Sequence, residues 1–461
     1  METATSKLFY EPKNVYDTMT PEDRERMEAH SAGFLKYLSR SKTERLANKY
    51  TIELAKTNGF KPYTPDMRIQ PGDKIYVDNR GKAVFLAIIG QKPLAAGARI
   101  SAAHLDSPRL DLKQMPLYED DGMAYLKTHY YGGIKKYQWL AMPLALYGIA
   151  VTQSGETVDV AIGDRPEDPL FTITDLLPHL SADQNKKTMA EGVTGENLNV
   201  LFGSEPVEGE EKDRVKLHVL TILNEKYGMV EEDFLCAEFE IVPAFDAREL
   251  GLDRSLIGGY GQDDRVCAYA SIQALFELEG VPDRTCICML ADKEEIGSEG
   301  VTGMKSAFFE RVMLDLCRAQ DVLITHCYDH SFCLSADVTN GFDPNYPDVS
   351  EKRNNTRMNF GMALTKYHGS RGKSGSNDAN AETLGKLRGL LNEAKIPWQT
   401  GELGKVDQGG GGTVAIFMSG RNIETIDAGV PILSMHAPYE VSAKADGYCL
   451  KEGIRVIFEK Y

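Results

Sequence analysis

Five short segments of this 461-residue chain place histidines or carboxylates at the ends of apolar runs or in turns, where such side chains can ligate divalent metals. The first is His104-Leu105-Asp106. Residues two apart on a strand face the same side, so His104 can bind a metal while Asp106 fixes a ring tautomer. A strand-end histidine followed by a turn acid has the same sequence. The second is Gly261-Gln262-Asp263-Asp264-Arg265, a turn opening a helix. Acids there complement the helix N-terminus, and a carboxylate at such a bend can also bridge two cations. One acid suffices for bridging, which leaves the other to support a ligand or to cap the helix. The third is Asp292-Lys293-Glu294-Glu295-Ile296-Gly297-Ser298, after the apolar run Cys286–Ala291. Charge runs are commonly solvated loops, but adjacent glutamates also suit a division of labour. One binds metal and the other takes a proton from water. The fourth is Asp337 in Ser335-Ala336-Asp337, and the fifth is His436, which ends Ile432-Leu433-Ser434-Met435. A turn aspartate and a core histidine are the plain readings of these last two.

Taken jointly, the segments are more specific. Two histidines and three or four carboxylates recur near strand ends, where open α/β sheets carry their sites. Mixed nitrogen and oxygen donors suit zinc, cobalt or manganese, and the count suits a pair of ions about 3.5–4 Å apart. Spacing alone does not name a reaction. A further candidate is Gly409-Gly410-Gly411-Gly412-Thr413, whose backbone N–H groups can approach a substrate closely at Gly410 and Gly411. It has no following lysine, so a phosphate-binding loop is not indicated. A flexible turn before Val414 is the alternative.

The elements that must position these residues read as α/β. Thr20-Pro21-Glu22-Asp23 starts one N-terminal helix, Ser41 with Glu44 signals a second, and Asn58-Gly59 stops it. Ala83–Ile89 and Arg99–Ala103 read as strands covered on both faces. Between residues 107 and 245 the pattern changes to alternating strands with a polar loop, Ser181 to Arg214. From 246 onward strand-like and helix-like segments alternate: Cys286–Ala291 and Val322–Thr325 as strands, Val266–Glu279 as a helix. A catalytic domain of residues 1–106 and 246–461, split by an insertion of residues 107–245, follows.

The bulk numbers exclude several classes. Hydrophobic residues at 42% and charged residues at 26% are ordinary for a globular protein, and the length favours two domains. A net charge of −16 gives no basic footprint for nucleic acid. No apolar run reaches the roughly 18 residues of a membrane span. The start, Met1-Glu2-Thr3-Ala4-Thr5-Ser6-Lys7, lacks the basic start and apolar core of a secretory signal. The eight cysteines lie mostly in apolar runs, as buried thiols do in a reducing compartment. A cytoplasmic protein is expected.

The ordered set His104-Leu105-Asp106, Gln262-Asp263-Asp264, Glu294-Glu295-Ile296-Gly297-Ser298, Ser335-Ala336-Asp337 and Met435-His436 resembles that of the aspartyl aminopeptidases, co-catalytic zinc enzymes. The resemblance covers almost the whole chain, including Thr57–Phe60 and Val230–Val242. It implies a mixed-sheet α/β zinc-peptidase domain split by a mainly β dimerisation domain, assembled into a tetrahedral dodecamer. Two divalent ions per subunit, zinc foremost, are implied, with Asp263 bridging. His104 and Asp337 would hold one ion, and Glu295 and His436 the other. Glu294 would be the general base and Asp106 would orient a ligand. His179, in Leu177-Pro178-His179-Leu180, is the counterpart of a histidine that reaches a neighbouring subunit's site. Lys366 aligns with a lysine suited to an acidic substrate side chain.

The chain also departs from that pattern. Asn340 stands where a histidine is usual, and Ile134-Lys135-Lys136-Tyr137-Gln138-Trp139 replaces a Trp-x-Asp-Arg segment. Both changes bear on substrate preference and not on the metal ligands. The alternatives are another two-metal exopeptidase or deacylase, or a catalytically idle metal-containing shell.

Overall fold

The structure, a computed structural model, describes residues 8–369 and 371–461. The start Met1–Lys7, on which the reading of a missing secretory signal rests, lies outside them. The chain divides into two compact units. One runs to Asp106 and resumes over Ala247–Met435 and Glu440–Tyr461, and the other comprises Ser107–Asp246 with His436–Tyr439.

In the first unit, Thr20 and Asp23 form a reciprocal capping box for the helix Pro21–Arg40. The helix Glu44–Thr57 is capped by Thr43, whose hydroxyl accepts from Leu46 N–H at 3.3 Å, and not by the expected Ser41. Thr43 directly precedes the first helical residue, the position from which a side chain reaches the free N–H groups. Among the described residues these helices accompany a nine-stranded mixed sheet. Its central strands Cys286–Ala291, Arg99–His104, Phe332–Ser335 and Glu424–Gly429 are mutually parallel. The first three are buried along their whole length, which explains their continuous apolar runs. In register, Ala291 lies beside His104 and Ser335 beside Ala102. The carboxyl ends of these strands therefore come out on one edge.

A smaller sheet of the same unit pairs Leu256–Gly259 with Glu440–Ala443. The helix expected over Val266–Glu279 begins earlier, at Gln262, and ends at Phe276. Val322–Thr325 is not a strand. Val322 and Leu323 form the irregular link that leads into the helix Ile324–Asp329. Periodicity cannot separate a strand from a helix start in so short an apolar run. Here Val322 and Ile324 pack against a core containing Phe309 and Tyr328.

The second unit is built on a six-stranded sheet whose pairings are antiparallel. Its helix Arg214–Tyr227 buries Val215, Val219 and Leu223. The Glu119 carboxylate accepts from Val215 and Lys216 N–H at 2.8 and 2.9 Å, and so caps that helix from a neighbouring strand. The polar stretch from Ser181 to Arg214 holds several single turns and the strand Asn199–Gly203. Among the described residues no helix is long and apolar enough to cross a membrane. Every cysteine is a free thiol, and all but Cys236 are buried.

Candidate metal centre

At the carboxyl edge of the parallel strands, His104 is buried with its ring fixed from one side. Nδ1 donates to the Asp106 carbonyl at 2.9 Å and lies 3.3 Å from the Asp106 carboxylate. That contact fixes Nδ1 as the protonated nitrogen of the neutral ring, so Nε2 is the nitrogen from which a cation would displace a proton. Nε2 faces Asp263 Oδ1 at 3.2 Å and Glu294 Oε2 at 3.9 Å. Burial alone would push the His104 pKa down, but the Asp106 and Asp263 carboxylates outweigh it and raise the pKa well above the ordinary value.

Asp106 has a second task. Its two oxygens accept from the N–H groups of Glu294 (3.1 Å) and Glu295 (3.2 Å). The turn that presents both glutamates starts at Lys293, in left-handed conformation with φ 67°. It is braced by Thr302, whose hydroxyl donates to Asp292 at 2.5 Å. One buried carboxylate therefore sets both the imidazole and the glutamate pair.

Asp263 and Asp264 open the helix Gln262–Phe276 in non-helical conformation, after Gly261 with φ 75°. Glu440 holds this bend: its Oε2 accepts from Gln262 N–H at 2.7 Å and Asp263 N–H at 3.2 Å. Asp264 Oδ2 accepts from the backbone N–H of His104 at 3.3 Å. Asp337 follows the strand Phe332–Ser335, and Gly429 packs directly on it. A Cβ at Gly429 would lie 1.7 Å from the Asp337 carbonyl oxygen, so only glycine admits that approach.

The donors form two overlapping groups that share His104. In one, His104, Asp263 and Glu295 each bring a ligand atom within 4.8 Å of the others, and in the other His104, Asp264 and Asp337 do. Burial, and then neighbouring carboxylates, push the acids Asp264 and Asp337 well above the usual carboxylate range. A buried set of mutually repelling carboxylates with imidazole nitrogen is the donor chemistry that divalent cations satisfy, so the residues fit such ions. Glu294 belongs to neither group.

The remaining candidates lie as follows. His436 belongs to the His436–Tyr439 segment of the second unit, and its Nδ1 is 2.8 Å from the Gly133 carbonyl. His179 sits exposed on the single turn Pro178–Leu180 of that unit. Lys366 follows the strand Met362–Thr365 and pairs with Asp378, which also binds Lys373 at 2.9 Å. In the glycine run, Gly410 has φ 121°, and a Cβ on Gly409 would strike the Leu403 carbonyl oxygen at 1.5 Å. Gly411 and Gly412 border open space. Asn340 is engaged structurally, its carbonyl accepting from Asn355 at 3.0 Å and Thr356 at 2.7 Å. Reading the sequence missed Glu440 and Gly429. The acid of the pair left for supporting or capping work corresponds to Asp264, which accepts from the His104 backbone N–H.

Residues 37–454 match the sequence profile of the family described as aminopeptidase I zinc metalloprotease (M18). A probable M18 family aminopeptidase 1 of Clostridium acetobutylicum is 48% identical, with 97% of this chain and 98% of that one covered. Its Thermotoga maritima counterpart is 43% identical, with 98% and 99% covered. The crystal structure of the M18 aminopeptidase from Thermotoga maritima superposes with a TM-score of 0.94 at 42% identity, covering 98% of this chain and 100% of that one. The Clostridium acetobutylicum aminopeptidase I structure gives 0.91 at 45%, covering 98% and 99%. A mApe1 dodecamer from S. cerevisiae shares the fold with a TM-score of 0.76 at 20% identity, covering 95% and 99%. The chain belongs to the M18 family of zinc metallo-aminopeptidases.

Proposed function

We infer that this protein removes the N-terminal residue of peptides with two divalent ions per subunit, zinc in the first place and cobalt or manganese as substitutes. In this reading Asp263 would be the carboxylate shared by both ions. His104 with Asp337 serves one, and Glu295 with His436 serves the other. The supporting observation is the convergence of His104 Nε2 on Asp263, with Glu294 close by but outside both donor groups. For His436, support comes from the ordered motif, with the ring oriented by Nδ1 on the Gly133 carbonyl.

Bound ions of this kind act as Lewis acids that ease deprotonation of water. Glu294 takes that proton and returns it to the leaving amine. Asp106 keeps Glu294 in place through its backbone N–H and keeps the His104 tautomer. His179 of a neighbouring subunit is assigned to stabilising the oxyanion, and Gly410 and Gly411 to backbone contact with the substrate. Lys366 and Lys373 bring two ammonium groups to the single Asp378 carboxylate, an excess of positive charge that favours an Asp or Glu side chain. Residues 1–106 and 246–461 are proposed as the catalytic domain and 107–245 as a dimerisation domain. Support for the latter is the exposed apolar run Leu176 (51%), Leu177 (50%) and Leu180 (68%) around His179. The dodecameric assembly named for the S. cerevisiae protein is the proposed oligomer here.

An idle shell has no use for a carboxylate beside, but outside, a donor group. The test is Glu294→Gln, scored for both metal and turnover. It should bind metal as the wild type does and lose at least about 100-fold in kcat. Full activity in a metal-replete Glu294→Gln enzyme would remove Glu294 from the base role.

A further inference from the structure

Arg265 follows the two aspartates of the bend and is buried to 1% exposure, among the bulkiest side chains fully enclosed by the fold. Its Nε donates to the carbonyl of Leu105 at 3.1 Å, and its guanidinium carbon lies 5.7 Å from the centre of the Tyr260 ring. Nη1 is buried with no hydrogen-bond partner among the described residues. Leu105 is the residue between His104 and Asp106. Its own N–H donates to the Ala291 carbonyl at 2.8 Å, at the end of the strand that leads to Glu294 and Glu295. The peptide groups flanking Leu105 thus connect three segments: His104–Asp106, the glutamate turn, and the Asp263–Asp264 bend.

A guanidinium carries a full positive charge, and taking it out of water is costly unless its surroundings offset the loss. Packing alone would be served better by an apolar side chain of the same size. What the charge and planar fork offer here is a directional hold on one carbonyl, from a helix start that also carries two candidate ligands.

We propose that Arg265 is a positioning residue for the metal centre, fixing the His104–Asp106 segment against the Asp263–Asp264 bend so that the donors are pre-set for cations. This rests on the ligand assignment above. Metal affinity is the property it should control, since donors held apart must be drawn together by the ion itself. Loss of a group that orients ligands typically weakens metal binding about 10- to 100-fold.

The experiment compares wild type, Arg265→Met and Arg265→Lys. Zinc affinity is measured by competition with a chromophoric chelator, together with the thermal midpoint of each metal-free protein and kcat and KM at saturating zinc. Arg265→Met should raise the zinc Kd by about 10-fold or more. At saturating zinc it should lower kcat while leaving KM nearly unchanged. Arg265→Lys, which keeps a donor of different reach, should fall between the two. Zinc Kd within about twofold of wild type in both variants would overturn the proposal, whatever the thermal midpoints do. If Arg265→Met does not fold, Arg265→Lys is judged by the same Kd criterion. A wild-type protein that binds no zinc would instead overturn the ligand assignment, so the two failures are distinct.

Discussion

Asp106 bonds to two partners with different chemical roles: an imidazole whose tautomer it helps to set, and a turn that carries adjacent glutamates. On the roles proposed above, that sharing would let Glu294 and Glu295 divide proton transfer from metal binding while being neighbours in sequence. Glu295 falls within a donor group, whereas Glu294 stops 3.9 Å from His104 Nε2. General-base catalysis contributes about 10²- to 10⁴-fold, so the Glu294→Gln loss belongs in that range. A larger loss accompanied by missing metal would mean that Glu294 also supports the ligands. At this scale the sequence was readable in part. His104, Asp263, Glu295 and Asp337 stand out because each ends, follows or opens an element with a clear pattern. Glu440 does not, since its bond to the Gln262–Asp263 bend spans 178 residues of chain. Gly429 looks like any glycine ending a strand until Asp337 is seen packed against it.

Elements place the site through strand direction, and helices set how the fold answers to pH. His30, on the helix Pro21–Arg40, lies against Tyr269 and Tyr448 with ring centroids 5.1 and 6.5 Å away. Burial, aided by Lys451 and opposed by Glu452, pushes its pKa down to about 3. The unfolded chain, with the ordinary value near 6.5, then binds the proton more tightly than the folded chain. The stability tied to neutral His30 is therefore complete above about pH 6.5 and drains away as pH falls towards 3. At pH 5 the loss is about 2 kcal/mol. His30→Leu should remove that part of the acid slope, narrowing the gap in unfolding midpoint between pH 7.5 and pH 5. Equal gaps in wild type and variant would show that His30 binds its proton as tightly in the fold as in the unfolded chain.

The elements themselves were unevenly legible. Cys286–Ala291 and Arg99–His104 declare themselves because parallel strands buried on both faces need unbroken apolar runs. Val322–Thr325 misleads because four apolar-rich residues fit a strand or a helix entrance equally. Thr43 displaced Ser41 as a cap because two hydroxyl residues fall within three positions, and only geometry shows which one reaches Leu46. The helix Arg214–Tyr227 was hidden at the end of a polar stretch, where its cap comes from the distant Glu119.

For the whole molecule, the exposed leucines around His179 carry the expectation of assembly. Leu177→Asp together with Leu180→Asp should lower the mass in solution by light scattering, with activity falling alongside if His179 serves a neighbour. Unchanged mass would take the Leu177–Leu180 segment out of the interface. The central claim is that a metal centre of this chain hydrolyses the bond after a free N-terminal residue. Its most direct measurement is release of anilide from a panel of aminoacyl-anilides and their N-acetylated forms, by chelator-treated enzyme before and after adding zinc, cobalt or manganese. The account predicts no release without metal, restored release with it, preference for Asp and Glu, and no cleavage of the acetylated forms. Release that survives complete chelation, or acetylated substrates cleaved as fast as free ones, would contradict it.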